Sequence, residues 1–190
     1  MSKNLQLFVP TFRVEECLSE IRECLEKGWT GLGFKTVQFE EKWKEYTGLK
    51  NAHFLNSATV GLDLAVNILK ETRNWENDSE IITTPFSYVA TTSSILWERC
   101  KPVFVDIEPN NFMIDPDKIE AAITPNTKAI MPVHVFGYAC DVDKIQAIAD
   151  KYNLKVIYDA AHAFGAKFNG KSLLDYGDIS TCSFHATKVY

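Results

Sequence analysis

Asp159 closes the apolar run Lys155-Val-Ile-Tyr-Asp159, and Lys188 follows a second apolar run through Ser183 and His185-Ala-Thr-Lys188. A carboxylate at one strand end can hold a pyridine nitrogen protonated, and an amine past another can condense with an aldehyde to a Schiff base. Both demands belong to one cofactor, pyridoxal phosphate. Taken alone, Asp159 has an alternative as the cap of a following helix, because a buried carboxylate needs some hydrogen-bonded partner. Lys188 taken alone is a solvated lysine. It gains from Ser183, whose hydroxyl can bind a phosphate, and it must be partly desolvated to serve as a nucleophile. His162, just beyond Asp159, can reach the ring's phenolic oxygen or be a satisfied structural histidine.

Two more segments carry chemistry. Ser57-Ala58-Thr59-Val60-Gly61 enters a helix with small residues, so its backbone amides and the helix dipole favour an anion, with Thr59 able to add a hydroxyl. An ordinary Ser/Thr cap is the competing reading. Tyr88, in Thr84-Pro-Phe-Ser-Tyr88, follows a strand and opens a helix, where its ring can stack on a flat cofactor or fill the core.

These groups need a scaffold that brings strand ends together. Short apolar strands are expected at about 51–56, 80–84, 102–106, 128–135, 155–159 and 179–184. Helical patterns lie between them at 59–72, 88–98, 116–123 and 141–152. Two more helices precede them. One places Cys17, Leu18, Ile21, Cys24 and Leu25 on a single face over 15–27, and the other carries Phe39, Trp43 and Tyr46 and stops at Gly48. Apolar strands alternating with helices predict an α/β fold, a mostly parallel sheet with helices on both faces. Ligands in such sheets sit beyond the carboxyl ends of the strands. Asn56 to Thr59, Pro85 to Tyr88, Asp159, and Ser183 to Lys188 all fall there, and their convergence carries the argument.

Composition narrows the function classes. The 190 residues have a net charge of −5 with no basic run, so nucleic acid is not an expected partner. No apolar stretch reaches the ~18 residues of a membrane span. The five cysteines lack metal-like spacing, and with no signal-type apolar segment at Met1 to Phe8 a reducing cytoplasm is expected. A nucleotide- or flavin-binding module would carry G-x-G-x-x-G after its first strand, and the chain has none.

The segments TGLGFKTVQFEEKWKEYTG, SATVGLDLA, TPFSYVATTSSI, FVDIEPNNFMID, MPVHVFGYACDVDKI, DAAHAFGA and SFHATK occur in this order. Over residues 8–190 the chain resembles the DegT/StrS group of fold-type-I, pyridoxal-phosphate-dependent sugar-nucleotide aminotransferases. The resemblance implies that the amides of Ala58 and Thr59 and the Ser183 hydroxyl bind the phosphate, Tyr88 stacks on the ring and Asp159 pairs with its nitrogen. His162 would contact the phenolic oxygen and Lys188 would carry the cofactor. Ala58 stands where the family usually has Gly, and His162 where Gln is common. An amino-acid donor, L-glutamate in most of the group, and a keto-sugar nucleotide acceptor are implied, as is a homodimer. The sugar dehydratases of the group have histidine in place of the lysine, which Lys188 argues against. The resemblance also implies that residues 1–190 are an N-terminal segment plus most of the cofactor-binding large domain, with a further antiparallel strand and a small C-terminal domain absent. A catalytically silent fragment, serving only in binding or assembly, is the alternative.

Overall fold

The runs EIIT, KPVF, TKAIM, KVIYD and IST are rich in β-branched residues and form the main sheet. They are β1 (Glu80–Thr83), β2 (Lys101–Phe104), β3 (Thr127–Met131), β4 (Lys155–Asp159) and β7 (Ile179–Thr181). The computed structural model describes residues 11–29 and 31–188. Its sheet has the order β2-β1-β3-β4-β7, and every neighbouring pair is parallel. A two-stranded hairpin, β5 (Lys167–Phe168) with β6 (Lys171–Ser172), stands apart from it.

The helices of this part are α3 (Ala58–Arg73), α4 (Val89–Trp97), α5 (Pro116–Ala122) and α6 (Val142–Tyr152). The crossover from β1 through α4 to β2 runs opposite to the crossovers through α5 and α6. Right-handed connections therefore place α4 on one face of the sheet and α5 and α6 on the other. Leu62, Ala65, Val66 and Leu69 of α3 pack with Ala90 and Ile95 of α4 over Ile81, Ala129 and Ile157. Alternate strand residues Ile82, Ile130 and Val156 are fully buried and point to the opposite face, the side of Ile145 and Ala149.

The chain divides into two compact units. One comprises Leu55–Phe184 with Lys188–Tyr190, the other Met1–Phe54 with His185–Thr187. The second unit holds α1 (Val14–Glu26) and α2 (Phe34–Thr47). Lys35 bonds Glu20 and Glu23 of α1, and Gly48 ends α2 at φ 80, a left-handed cap that glycine takes without strain. The helix expected over 15–27 is present, but Leu18, Ile21 and Leu25 remain half or more exposed.

One expected strand is absent. Residues 51–56 form no ladder, because among the described residues no strand lies beside them, and a strand needs a hydrogen-bonded neighbour. The main sheet therefore has five strands where six were expected. The strand expected over 128–135 ends at Met131, and the chain turns through a 3-10 segment at Val135–Gly137.

Candidate functional site

All strands of the main sheet point the same way, so their carboxyl ends share one edge. Asp159 is the last residue of β4, in register with Thr181 of β7. Its backbone N–H donates to Pro132 O and its carbonyl accepts from His134 N, each at 3.0 Å, which fixes the strand end beside the chain leaving β3. The side chain is 5% exposed. Thr91 Oγ1 donates to Oδ2 at 2.6 Å and Ala161 N donates to Oδ1 at 3.1 Å. No helix follows Asp159, so it is not a helix cap; it anchors a turn and accepts a bond from α4.

Lys188 meets His162 at this edge, with Nζ 2.9 Å from Nε2. The other ring nitrogen, Nδ1, accepts the Phe136 backbone N–H at 3.1 Å, and the Phe136 ring lies parallel with centroids 6.0 Å apart. Burial, then the Lys188 charge, lower the His162 pKa below the ordinary imidazole value against the opposing pull of Asp159.

At the start of α3, Ser57 is a cap: its Oγ accepts the Val60 amide at 3.2 Å and its carbonyl accepts Gly61 N at 3.1 Å. The Ala58 and Thr59 amides have no acceptor among the described residues. They are the two donors that an anion at this helix end would meet. Ala58 is the first residue of the helix and is absent from the positive-φ residues, so it does not need glycine's freedom. Gly61 matters for another reason: a Cβ there would lie 2.7 Å from Thr181 Cγ2, so its lack of side chain lets α3 approach β7. Tyr88 is 74% exposed and caps α4 only through its backbone, which removes the core reading for its ring. Ser183 is buried, just past β7.

Residues 12–190 match the DegT/DnrJ/EryC1/StrS aminotransferase family. The chain belongs to that family. It is 49% identical over 164 residues to the dTDP-4-amino-4,6-dideoxy-D-glucose transaminase of Shigella dysenteriae, a match covering 86% of this chain and 43% of that protein. It is 39% identical to the GDP-perosamine synthase of Caulobacter vibrioides, over 89% of this chain and 45% of the other. Its fold superposes on a putative sugar aminotransferase, Spr1654 of Streptococcus pneumoniae, in its PLP form, with a TM-score of 0.90 and 30% identity. That match covers 97% of this chain and 50% of the other. The chain thus spans about half the length of the relatives it matches.

The residues at the sheet edge fit the cofactor of this aminotransferase family. The carboxylate at the end of β4 is buried among neutral donors, so its charge is left for a cation. Two helix-end amides are open to an anion, an aromatic face is uncovered, and a lysine lies against an imidazole. A cavity of about 750 Å³, lined by Arg73, Trp75, Lys128, Tyr152 and Lys155 among others, lies at the amino ends of the strands and includes none of these groups.

Thr91 was not singled out in the sequence. The run Val89-Ala-Thr-Thr-Ser-Ser94 offers several hydroxyls, and only Thr91 and Ser94 fall on the buried face of α4. Thr91→Val keeps the shape and removes the donor to Asp159. A lost bond to a charged acceptor costs about 1.5–3 kcal/mol. Urea unfolding should show a loss of that order, and an unchanged midpoint would mean that the hydroxyl does not support the carboxylate.

His134, fully buried after β3, stacks on Tyr158 with centroids 4.4 Å apart. Its Nδ1 accepts Cys140 N at 3.2 Å. Burial lowers its pKa from 6.5 to about 4. Because the folded value lies below the unfolded one, the unfolded chain binds the proton more readily. This contribution is complete above about pH 6.5 and is lost as the pH falls toward about 4, at ~1.4 kcal/mol per unit or roughly 3 kcal/mol in all. His134→Gln keeps an acceptor for Cys140 and cannot titrate here, so it should flatten this part of the stability profile. An equal acid drop in the variant would remove His134 as its source. The five cysteines are free, and burial raises the Cys140 and Cys182 thiols to about 12 and about 11, which leaves them unreactive.

Proposed function

We propose that this chain carries the pyridoxal phosphate site of an aminotransferase that moves an amino group from an amino acid, L-glutamate, to a keto-sugar nucleotide. The observation that carries the reading is the pairing at one sheet edge of a buried carboxylate held by neutral donors with a lysine set against an imidazole. The names of the relatives support the sugar-nucleotide acceptor, and glutamate comes from the resemblance alone.

Bound at this edge, the cofactor would supply an electron-poor ring that stabilises negative charge at the donor's α-carbon. The chain's own residues would do the rest. Asp159 holds the proton on the ring nitrogen. Lys188 holds the cofactor covalently and, once released as a free amine, carries a proton away from the donor's α-carbon. The amides of Ala58 and Thr59 and the Ser183 hydroxyl bind the phosphate. Tyr88 covers a ring face against water, and His162 donates to the phenolic oxygen. We read residues 1–190 as an N-terminal segment and most of the cofactor-binding domain, working as a homodimer in the cytoplasm. No described helix is long and apolar enough to cross a membrane.

The experiment is a coupled assay for 2-oxoglutarate. Protein loaded with pyridoxal phosphate and given L-glutamate should release it, and a nucleotide-linked keto-sugar should make the release catalytic. Bound cofactor without any release from glutamate would favour the catalytically silent alternative for the chain by itself.

A further inference from the structure

We propose that the Val135–Gly137 turn is a positioning device, in which the Phe136 backbone N–H fixes His162 as the Nε2–H tautomer. A neutral imidazole has one N–H and one lone pair. The Phe136 amide can only donate, and it lies 3.1 Å from Nδ1, so the lone pair is there. The proton must then be on Nε2, the nitrogen 2.9 Å from Lys188 Nζ.

The turn shows two further signs of being held in place. Phe136 has φ 53, a left-handed conformation uncommon for a bulky residue, and such backbone strain concentrates at functional sites. Gly137, at φ 83, lies so close to His162 that a Cβ would sit 2.8 Å from its carbonyl oxygen. The parallel ring of Phe136 adds a third contact to the imidazole. The catalytic consequence rests on the cofactor reading above: a donor fixed on Nε2 serves an acceptor oxygen when the lysine is engaged elsewhere. The tautomer itself does not depend on that reading.

The test is a long-range proton–nitrogen spectrum of folded protein labelled with nitrogen-15 histidine. His162 is assigned by the signal lost in His162→Gln. The expected pattern is a lone-pair nitrogen at Nδ1 and a protonated nitrogen at Nε2, without averaging. Phe136→Gly keeps the N–H and should preserve the pattern. Gly137→Ala forces the turn off the ring and should introduce the Nδ1–H form while His134 stays Nε2–H. An Nδ1–H or averaged signal in the unmodified protein overturns the proposal, and so does a pure Nε2–H signal in folded Gly137→Ala. Cofactor attachment at Lys188 without the Nε2–H pattern would sink this inference alone; the pattern without attachment would sink only the cofactor reading.

Discussion

Asp159→Asn should leave the fold intact and lower amino-transfer turnover by at least about 10³-fold, or ~4 kcal/mol of transition-state stabilisation. The asparagine oxygen can still accept the Ala161 amide, and its NH₂ group can donate to the Thr91 hydroxyl, so both local bonds survive with one reversed. What disappears is the negative charge that keeps a ring nitrogen protonated in a buried setting. Electrostatic terms at such sites dominate catalysis because they act without reorganisation. Thermal unfolding and single-turnover rates on the same preparation separate the two effects. Near-normal turnover would reduce Asp159 to a turn residue.

Lys188→Arg should abolish covalent attachment of the cofactor and lower turnover by about 10⁴-fold or more. Arginine stays protonated and cannot condense with an aldehyde, and proton transfer by a positioned side chain alone contributes about 10²–10⁴-fold. Absorbance during titration with pyridoxal phosphate reports attachment, and 2-oxoglutarate release reports turnover. Retention of both would assign the lysine a surface role.

Much of the scaffold was legible because its patterns are local. The helix expected at 59–72 is α3 at Ala58–Arg73, and that at 141–152 is α6 at Val142–Tyr152, each closed by an asparagine in the left-handed region. The strand ending in Asp159 stops where its apolar run stops. Residues 51–56 failed as a strand because pairing depends on a neighbour, which an apolar run does not supply. The hairpin β5–β6 went unnoticed although Asn169-Gly170, with φ 50 and 78, is the favoured dipeptide for a two-residue turn between strands.

The chemistry divides in the same way. Asp159 and Lys188 stood out because an acid at a strand end and a lysine past another are conspicuous types. Thr91 did not, since one hydroxyl among several is selected only by which side of α4 is buried. The Phe136 amide could not stand out at all: a backbone donor has no letter of its own, and its aim at His162 depends on the turn that brings the two loops together.

Reduction with borohydride after loading with pyridoxal phosphate, followed by peptide mass analysis, reads the attachment site itself. A phosphopyridoxyl mass is expected on the peptide that contains Lys188, and its loss in Lys188→Arg. The same mass on another lysine, with Lys188 unmodified, would contradict that assignment.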